Sequence, residues 1–534
     1  MAVELASLPD DPFELKKMVV SLYAKVETLI EEVVLLRGQQ YGRKSEKRSL
    51  EEQRGEQRRL FDEEALAGAS DQVRTLSPEE AASYRVPVRS HVRGRPRRRP
   101  LPEDLPRIEV EHDIAEAEKR CACGATLSRI GEETLEQLGI IPTRFYVLRH
   151  IRPKYACRSC DGVETEGATV KIAPPPPQLF AKSIVTPELL AWLVTSKYAD
   201  GLPFYRVERI VQRSGVEISR ESLCSWTIQG SQRCVPLLGL MRQELLSGPV
   251  IQADETRVQV LREPGRSASS KSYMWVYRGG DPQKPVVLFD YHPSRSAEVP
   301  LRFLKDYRGY LQTDGYKGYA ELGNQPGIHH VGCWAHARRK FVEAAKVSPK
   351  GGAAEEALET IRKLYEIESR AERQKLGPEE IRQLRQKEAL PILVAFRGWL
   401  ERKANETPPS LALGKAISYT LGQWDRLVRY VEDGRLRPDN NLAENAIRPF
   451  VVGRKAWLFS ATPEGATASA TMYSLVETAR ANGLEPYHYL RYLFTRLLTM
   501  RPEDTFASLL PQNLKPADIV LPDPLAPPPP PSGG

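Results

Sequence analysis

Apolar positions near the start of the chain repeat every seven residues. Over residues 13–40 leucine occupies one position of the repeat and valine the other, through about three heptads. A β-branched residue alternating with leucine in this way favours a parallel two-stranded coiled coil. The seam residues are Leu15, Val19, Leu22, Val26, Leu29, Val33 and Leu36. The pattern predicts a dimerising helix, and the alternative is an amphipathic helix packed on the chain's own core.

Residues 107–172 contain short segments of alternating polar and apolar residues, which predict a small β-rich module. Two cysteine pairs, Cys121 with Cys123 and Cys157 with Cys160, bracket it. Four thiolates suit a tetrahedral zinc ion, and a small module with few core residues needs a metal ion or a similar cross-link to be stable. The first pair is closer in sequence than the usual ligand spacing, so either Cys121 still reaches the zinc ion or the site is looser or has three cysteine ligands. His112 and His150 are either substitute ligands or ordinary surface histidines.

Helical periodicity covers residues 180–246. One helix ends near Gly215, and a second begins at Ser219 and ends near Trp226. The arrangement is typical of a helix-turn-helix unit that binds DNA. Because ordinary helical hairpins share this pattern, both interpretations stay open.

From residue 247 the periodicity changes to that of strands. The order is strand, strand, strand, helix, strand, which indicates a ribonuclease H-like α/β core. The first strand contains Asp254 and Glu255, and the fourth runs into a turn at Asp314. The first and fourth strands are neighbours in such a core, so Asp254 and Asp314 are predicted to meet. A carboxylate within a buried strand is costly unless it is paired or binds a cation.

A third carboxylate lies in the segment DNNLAENAIRPF. Its Asp and Asn residues are strong helix N-caps, which places Glu444 in the first turn of a helix. Asp254, Asp314 and Glu444 together predict a site for Mg²⁺ or Mn²⁺. Two such cations can activate a water or a 3′-hydroxyl for displacement at phosphorus. Three cations that follow, Arg448, Arg454 and Lys455, are predicted to hold a phosphate backbone.

Residues 346–435 read as a helical insertion within this core. Just before it, the segment VGCWAHARRKF predicts a strand end that runs into a helix. Arg338 and Arg339 are assigned to DNA contacts. His336 either approaches the metals or the DNA, or is a core or capping histidine.

The net charge of +8 over 534 residues is modest, but its distribution is uneven. A linker at 41–106 ends in seven arginines within residues 85–99, with no acid among them. Its last five arginines are Arg93, Arg95, Arg97, Arg98 and Arg99. Extended arginine arms thread narrow minor grooves, whereas a solvated basic linker contacts phosphates alone. In both cases the predicted partner is nucleic acid.

Several classes are excluded by composition. The N-terminal residues lack the pattern of a secretory signal, and no apolar run is long enough for a membrane span. Seven cysteines, four of them in one module, predict a reducing, cytoplasmic compartment. Cys224, Cys234 and Cys333 are then expected in the core. Residues 506–534 read as a proline-rich tail.

The order of motifs resembles the IS66 family of bacterial insertion-sequence transposases from about residue 13 to about residue 500. The motifs are YGRKSEK, the cysteine module, TDGYKGY, CWAHARRKF, DNNLAENAIRP and GRKAWLF. The resemblance implies a nucleoid-associated DDE-type enzyme with Asp254, Asp314 and Glu444 as its catalytic residues. It also implies cleavage at element ends, joining of 3′ ends to target DNA, and companion proteins. One departure is Arg120, which stands where the family has its outer cysteine.

The chain is therefore predicted to be a multidomain α/β protein. A coiled coil (13–40), linker (41–106), zinc module (107–172) and helical DNA-binding domain (180–246) precede a core at 247–345 and 436–505. The leading hypothesis is a DNA transposase acting as a homodimer or larger synaptic assembly. The alternatives are a zipper-bearing DNA-binding regulator without catalysis, and a ribonuclease H-like nuclease that cuts without joining. Three intact carboxylates favour an enzyme, and the zipper and basic arm favour recognition of element ends.

Overall fold

The computed structural model describes residues 11–41, 145–156, 170–347, 351–501 and 504–522. The chain divides into two compact units, residues 1–44 with 149–534, and residues 45–148. The arginines predicted to bind DNA between 93 and 99 and the cysteines at 121, 123, 157 and 160 lie outside the described residues. Across the described ranges, no helix is long and apolar enough to cross a membrane.

The described ranges contain seven strands and fifteen α-helices. The strands are β1 (Lys154–Ala156), β2 (Val170–Ile172), β3 (Val250–Gln259), β4 (Lys271–Asp281), β5 (Lys284–His292), β6 (Gly309–Gln312) and β7 (Ile328–Val331). The helices are α1 (Pro12–Tyr41), α2 (Pro187–Val194), α3 (Phe204–Gln212), α4 (Arg220–Arg233), α5 (Val235–Ser247), α6 (Glu298–Phe303), α7 (Trp334–Ala345), α8 (Ala353–Gln374), α9 (Pro378–Leu384), α10 (Leu390–Glu406), α11 (Ala412–Gly422), α12 (Trp424–Leu427), α13 (Asn441–Trp457), α14 (Pro463–Ala481) and α15 (Pro486–Thr499).

The predicted N-terminal helix is present as α1, and its heptad seam faces solvent. Exposed fractions run from 48% at Val33 to 63% at Val19, and Leu15 is half-buried. The backbone N–H of Ala412 donates to Glu31 Oε2 at 2.7 Å, so α1 contacts the insertion through a polar residue. Among the described residues nothing buries the seam, so the alternative of a helix packed on the chain's own core is not observed. Dimerisation stays a prediction.

The two predicted helices around Gly215 are α3 and α4. Gly215 adopts a φ of +77°, a conformation that favours glycine, and reverses the chain between them. Ser219 is the N-cap of α4, and its hydroxyl accepts the N–H of Ser222 at 3.2 Å. The helix continues to Arg233 rather than ending near Trp226, because its apolar face stays buried through Gly230.

A five-stranded mixed sheet forms the centre of the molecule, in the order β5-β4-β3-β6-β7. β3 pairs antiparallel with β4 and parallel with β6, and β6 pairs parallel with β7. The predicted adjacency of the first and fourth strands of the core, β3 and β6, is confirmed. A separate antiparallel pair, β1 with β2, lies before α2.

The outer edge of β5 is covered by α14. The hydroxyl of Ser474 accepts the N–H of Phe289 at 2.8 Å, and the hydroxyl of Thr478 accepts the N–H of Val287 at 3.0 Å. The Thr478 hydroxyl also donates to the Val287 carbonyl at 2.9 Å. The unpaired backbone groups of an edge strand can pair with a strand of another chain, and here the side chains of α14 bind those groups instead.

The insertion forms the predicted helices, α8 to α12, with the predicted break at Gly377–Pro378. Its apolar faces share one buried cluster with α7, in which Trp334 packs against Phe396 and Trp424. Buried Arg385 pairs with Glu368 through two hydrogen bonds. It also donates to three carbonyls of the segment leading to α13, those of Tyr430, Asp433 and Leu436. The insertion is therefore packed against the sheet domain.

Residues 506–519 form three short 3₁₀ turns beyond α15. Leu509, Leu510 and Ile519 are buried, and the Arg491 guanidinium donates to the Leu521 carbonyl at 3.2 Å. The packed part of the chain thus extends past residue 506, where the sequence analysis begins its proline-rich tail.

Candidate active site

Two buried glutamines join the strands that lead to the predicted aspartates. Gln252 and Gln312 are register partners on β3 and β6, and their exposed fractions are 4% and 0%. Gln252 Nε2 donates to Gln312 Oε1 at 2.6 Å. Asp254 and Asp314 each lie two residues further along the chain. Because strand residues two apart share a face, Asp254 follows Gln252 on the same side of the sheet.

The same amides reach the segment that precedes α13. Gln252 Nε2 also donates to the Asp439 carbonyl at 3.2 Å. Gln312 Nε2 donates to the Arg437 carbonyl at 2.7 Å and to the Gly332 carbonyl at 3.1 Å. Every N–H of these two amides therefore has a partner, and together they tie the α13 segment to both strands.

The N-terminus of α13 completes this connection. The N–H of Ala443 donates to Gln252 Oε1 at 3.3 Å. Asn440 is the N-cap residue, but its side chain does not cap the helix as the sequence predicts. Its Nδ2 instead donates to the Ala253 carbonyl at 2.9 Å, beside Asp254. Glu444 lies in the first turn of α13, where the sequence analysis predicts it.

Like charges surround Asp254. Burial raises the pKa of Asp254 to about 8, and the carboxylates of Glu255, Asp314 and Glu444 act in the same direction. A hydrogen bond from the backbone of Glu255 lowers the pKa of Asp254 by more than Asp314 or Glu444 raises it. Carboxylates that influence one another electrostatically suit a hard divalent cation, which would replace the proton on Asp254. The chemistry of these donors fits the predicted Mg²⁺ or Mn²⁺, but the oxygens of Asp254, Asp314 and Glu444 do not all lie within 4.8 Å of one another in the described part of the chain.

Glu255, on the opposite face of β3, has protein partners. Its side chain is 2% exposed. The Tyr319 hydroxyl donates to Glu255 Oε2 at 2.6 Å, and Arg295 Nε donates to Oε1 at 2.8 Å. No role was predicted for this carboxylate from the sequence. The only signal in the sequence is a charged residue in the middle of an apolar strand, which needs a partner such as Arg295 or Tyr319 from elsewhere in the chain.

Arg295 extends the network of Glu255 to the turn that contains Asp314. Its guanidinium lies 3.6 Å from the centre of the Tyr316 ring, and the Tyr316 hydroxyl donates to the Arg295 carbonyl at 2.8 Å. The N–H of Tyr316 donates to Asp314 Oδ1 at 2.9 Å. A Cβ at Gly315 would lie 2.6 Å from the Tyr419 hydroxyl, so a side chain at this position would displace the Tyr419 ring of the insertion.

His336 lies beside the third carboxylate. Its Nδ1 is 3.6 Å from Glu444 Oε1, and the Arg339 guanidinium is 3.9 Å from Glu444 Oε2. Of the alternatives for His336, approach to the carboxylates is the one that the structure contains.

Comparison with known proteins identifies the family. Residues 182–468, more than half of the chain, match the model described as "Transposase IS66 family". The chain belongs to the IS66 transposase family. Three further models match: "zinc-finger binding domain of transposase IS66" at 118–161, "IS66 C-terminal element" at 474–512, and "Transposase C of IS166 homeodomain" at 28–110.

Relatives of this IS66 chain occur in Sinorhizobium fredii. The uncharacterized protein y4qI is 30% identical over 96% of this chain and 94% of its own length. The uncharacterized protein y4jD is 33% identical over 79% of this chain and 82% of its own length. In each comparison the similarity thus covers most of this chain and most of the relative.

The residues of the IS66 chain predicted to contact DNA differ in their surroundings. Arg448 and Lys455 are exposed on α13, and Arg338 and Arg339 lie on α7. Arg454 donates to the Thr256 hydroxyl at 3.1 Å and also to the Arg257 carbonyl. The Arg454 guanidinium thus joins the end of α13 to β3, and its contact with DNA stays a prediction.

We expect Gln252→Leu to destabilise the protein and loosen the start of α13. The substitution leaves buried groups of Gln312, Asp439 and Ala443 without their partner, and each such group costs about 1–3 kcal/mol. At the lower end of this range the three groups together cost about 3 kcal/mol, which for a packed unit of this size corresponds to a fall of roughly 4 °C in melting temperature. Differential scanning calorimetry measures it, and hydrogen exchange should rise at 441–444. Gln259→Leu, an exposed position on β3, is the control; equal effects would contradict the assignment.

The raised pKa of Asp254 predicts a pH dependence of stability. The unfolded carboxyl ionises near 3.8, whereas the folded one holds its proton up to about pH 8. Unfolding therefore releases a proton between these values, and stability falls as pH rises. In EDTA at about pH 8, Asp254→Asn should melt above wild type by several degrees, with the difference vanishing near pH 4. Added Mg²⁺ should raise the melting temperature of wild type but not that of Asp254→Asn. Asp281→Asn, which changes an exposed carboxylate, is the control. The prediction would be contradicted if the melting temperature of Asp254→Asn varied with pH as that of wild type does.

Proposed function

We propose that this IS66 chain is a DDE-type DNA transposase. It binds the terminal repeats of its insertion sequence, cleaves there, and joins the freed 3′ ends to target DNA. Asp254, Asp314 and Glu444 hold the divalent cations that the reaction needs. The observation that carries the proposal is the set of hydrogen bonds through which Gln252 and Gln312 join β3, β6 and the start of α13, the three elements that lead to these carboxylates. The raised pKa of Asp254, caused first by burial, supports it.

The surrounding fold supports this assignment. Parallel pairing of β3 and β6, with strand order β5-β4-β3-β6-β7, agrees with a ribonuclease H-like core. The helix with the third carboxylate begins against the same two strands, through the amides of Gln252 and Gln312. In this fold the three carboxylates come from separate parts of the chain, and the amides hold those parts together.

Each site residue then has a distinct task. Cations bound by the carboxylates would activate a water or 3′-hydroxyl and stabilise the leaving oxygen. Asp254 gives up its proton to solvent as it becomes a ligand. Glu255 keeps the Asp314 turn in place through Arg295 and the tyrosines, so little reorganisation is needed during the reaction. Exposed Arg448 and Lys455 on α13 bind phosphates near the cations.

DNA-end recognition is assigned to the parts that precede the core. The basic arm, the cysteine module with its proposed zinc ion, and the α3–α4 pair supply positive charge and a helix-turn-helix-like geometry. The solvent-facing seam of α1 supports pairing with a second copy, which would bring two DNA ends together. We also propose that companion proteins encoded by the same insertion sequence act with the transposase.

Strand transfer is the decisive test. Wild-type protein incubated with Mg²⁺, DNA bearing its terminal repeats and a supercoiled target should give joined products. Asp254→Ala, Asp314→Ala and Glu444→Ala should each lower the amount of product at least about 100-fold. Loss of a residue that only hydrogen-bonds to a metal ligand costs up to about 100-fold, and loss of the ligand itself should cost no less. End binding, measured by mobility shift, should persist in all three.

The control for this assay is Asp281→Ala, which removes an exposed carboxylate at the end of β4. It should retain wild-type product. Cutting without joining would favour the nuclease alternative, and binding without cutting would favour the regulator. Unchanged product in Asp254→Ala would contradict the catalytic assignment.

Dimerisation through α1 has its own test. Leu22→Ala with Leu29→Ala removes two seam side chains while keeping good helix formers, and each loss costs about 2–5 kcal/mol if the seam is buried in a dimer. Sedimentation should show wild type at twice the 60.1 kDa chain mass and the double variant as monomer. Lys17→Ala, off the seam, should remain dimeric. A monomeric wild type would contradict the coiled coil.

A further inference from the structure

A second group of metal-binding side chains lies where α7 faces the first turn of α13. It comprises Cys333, His336 and Glu444, whose donor atoms all lie within 4.8 Å of one another. Cys333 is the N-cap residue of α7, and His336 follows in the first turn of that helix. The Cys-x-x-His spacing thus brings a sulfur and a nitrogen to one helix end, opposite a carboxylate.

Two donor atoms of this group, one on His336 and one on Glu444, lack hydrogen-bond partners among the described residues. Among the described residues, His336 Nδ1 and Glu444 Oε1 are buried and make no hydrogen bond. They are 3.6 Å apart, too far for a hydrogen bond between them. Buried polar atoms without partners are costly and call for an explanation such as an ion.

The spacing suits two ligands of a single tetrahedral ion. Zinc–ligand bonds of roughly 2.0–2.3 Å place neighbouring ligand atoms about 3.3–3.6 Å apart. Cys333 is 2% exposed, and its sulfur accepts the N–H of Asn440 at 3.3 Å. A hydrogen bond to the sulfur stabilises a thiolate ligand and orients it.

We propose that Cys333, His336 and Glu444 bind a transition-metal ion, specifically Zn²⁺. Thiolate, imidazole and carboxylate donors select zinc over magnesium, which prefers oxygen alone. Binding moves the thiol proton to solvent, and the fourth coordination position stays open. The site differs from the hard-cation site of Asp254 and Asp314, although Glu444 belongs to both groups.

The ion would act as a positioning device for Glu444. Oε1 faces the cysteine and histidine, whereas Oε2 lies toward Arg339 at 3.9 Å. A zinc ion on Oε1 fixes the rotamer of the side chain and joins α7 to α13. The inference does not depend on strand transfer, because zinc content is measured without DNA.

Zinc content of the full-length chain tests the proposal. Mass spectrometry of metals in purified protein should find about one zinc ion fewer per chain in Cys333→Ala, His336→Asn and Glu444→Gln than in wild type. Cys234→Ala and His329→Ala remove a buried thiol and an imidazole outside the group, and both should keep the wild-type content. Equal zinc in all variants would overturn the site.

The variant Cys157→Ala with Cys160→Ala gives an independent result, since it leaves α7 and α13 intact. It should retain about one zinc ion, and after cobalt replacement it should display sulfur-to-cobalt charge-transfer absorption. Adding Cys333→Ala should abolish that absorption. A double variant free of zinc, with an unchanged melting temperature, would overturn the proposal whatever the other variants do.

Discussion

The candidate site depends on one buried hydrogen-bond network, the amides of Gln252 and Gln312. Each amide has a neighbouring strand on one side and the backbone before α13 on the other. A buried amide group without a partner costs about 1–3 kcal/mol. A shift of either strand or of the α13 segment would break these hydrogen bonds and destabilise the protein by that amount for each group. The register of β3 with β6 and the position of Glu444 are therefore set by the same contacts.

The two faces of β3 handle negative charge differently. On one face Glu255 is neutralised by Arg295 and hydrogen-bonded by Tyr319. On the other, Asp254 lies among carboxylates, and burial raises its pKa to about 8. Within the described ranges an arginine pairs with Glu255, whereas no arginine forms an ion pair with Asp254, so a proton or a metal ion must offset the charge of Asp254. This contrast supports the proposed cation site better than the number of acids does.

Periodicity was enough to predict most of the elements, including the neighbouring strands β3 and β6 and the helix beginning near Asn441. It was not enough for Gln252, Gln312 and Asn440, because a glutamine or asparagine reads as a surface or capping residue until its tertiary partners are known. The contact of Arg454 with β3 escaped prediction for the same reason: its carbonyl acceptor lies nearly 200 residues away in sequence. Local pattern predicts elements, whereas buried polar groups acquire their roles only when distant segments meet.

The insertion belongs to the site rather than standing apart from it. Tyr419 of α11 lies against Gly315, next to Asp314, so a Cβ at that glycine would collide with the insertion. Trp334, at the start of the helix that contains His336, packs on Phe396 and Trp424 of the insertion. Arg385 holds the segment that leads into α13. Because packed interiors transmit displacement rather than absorb it, DNA that moved these helices would move both Asp314 and Glu444.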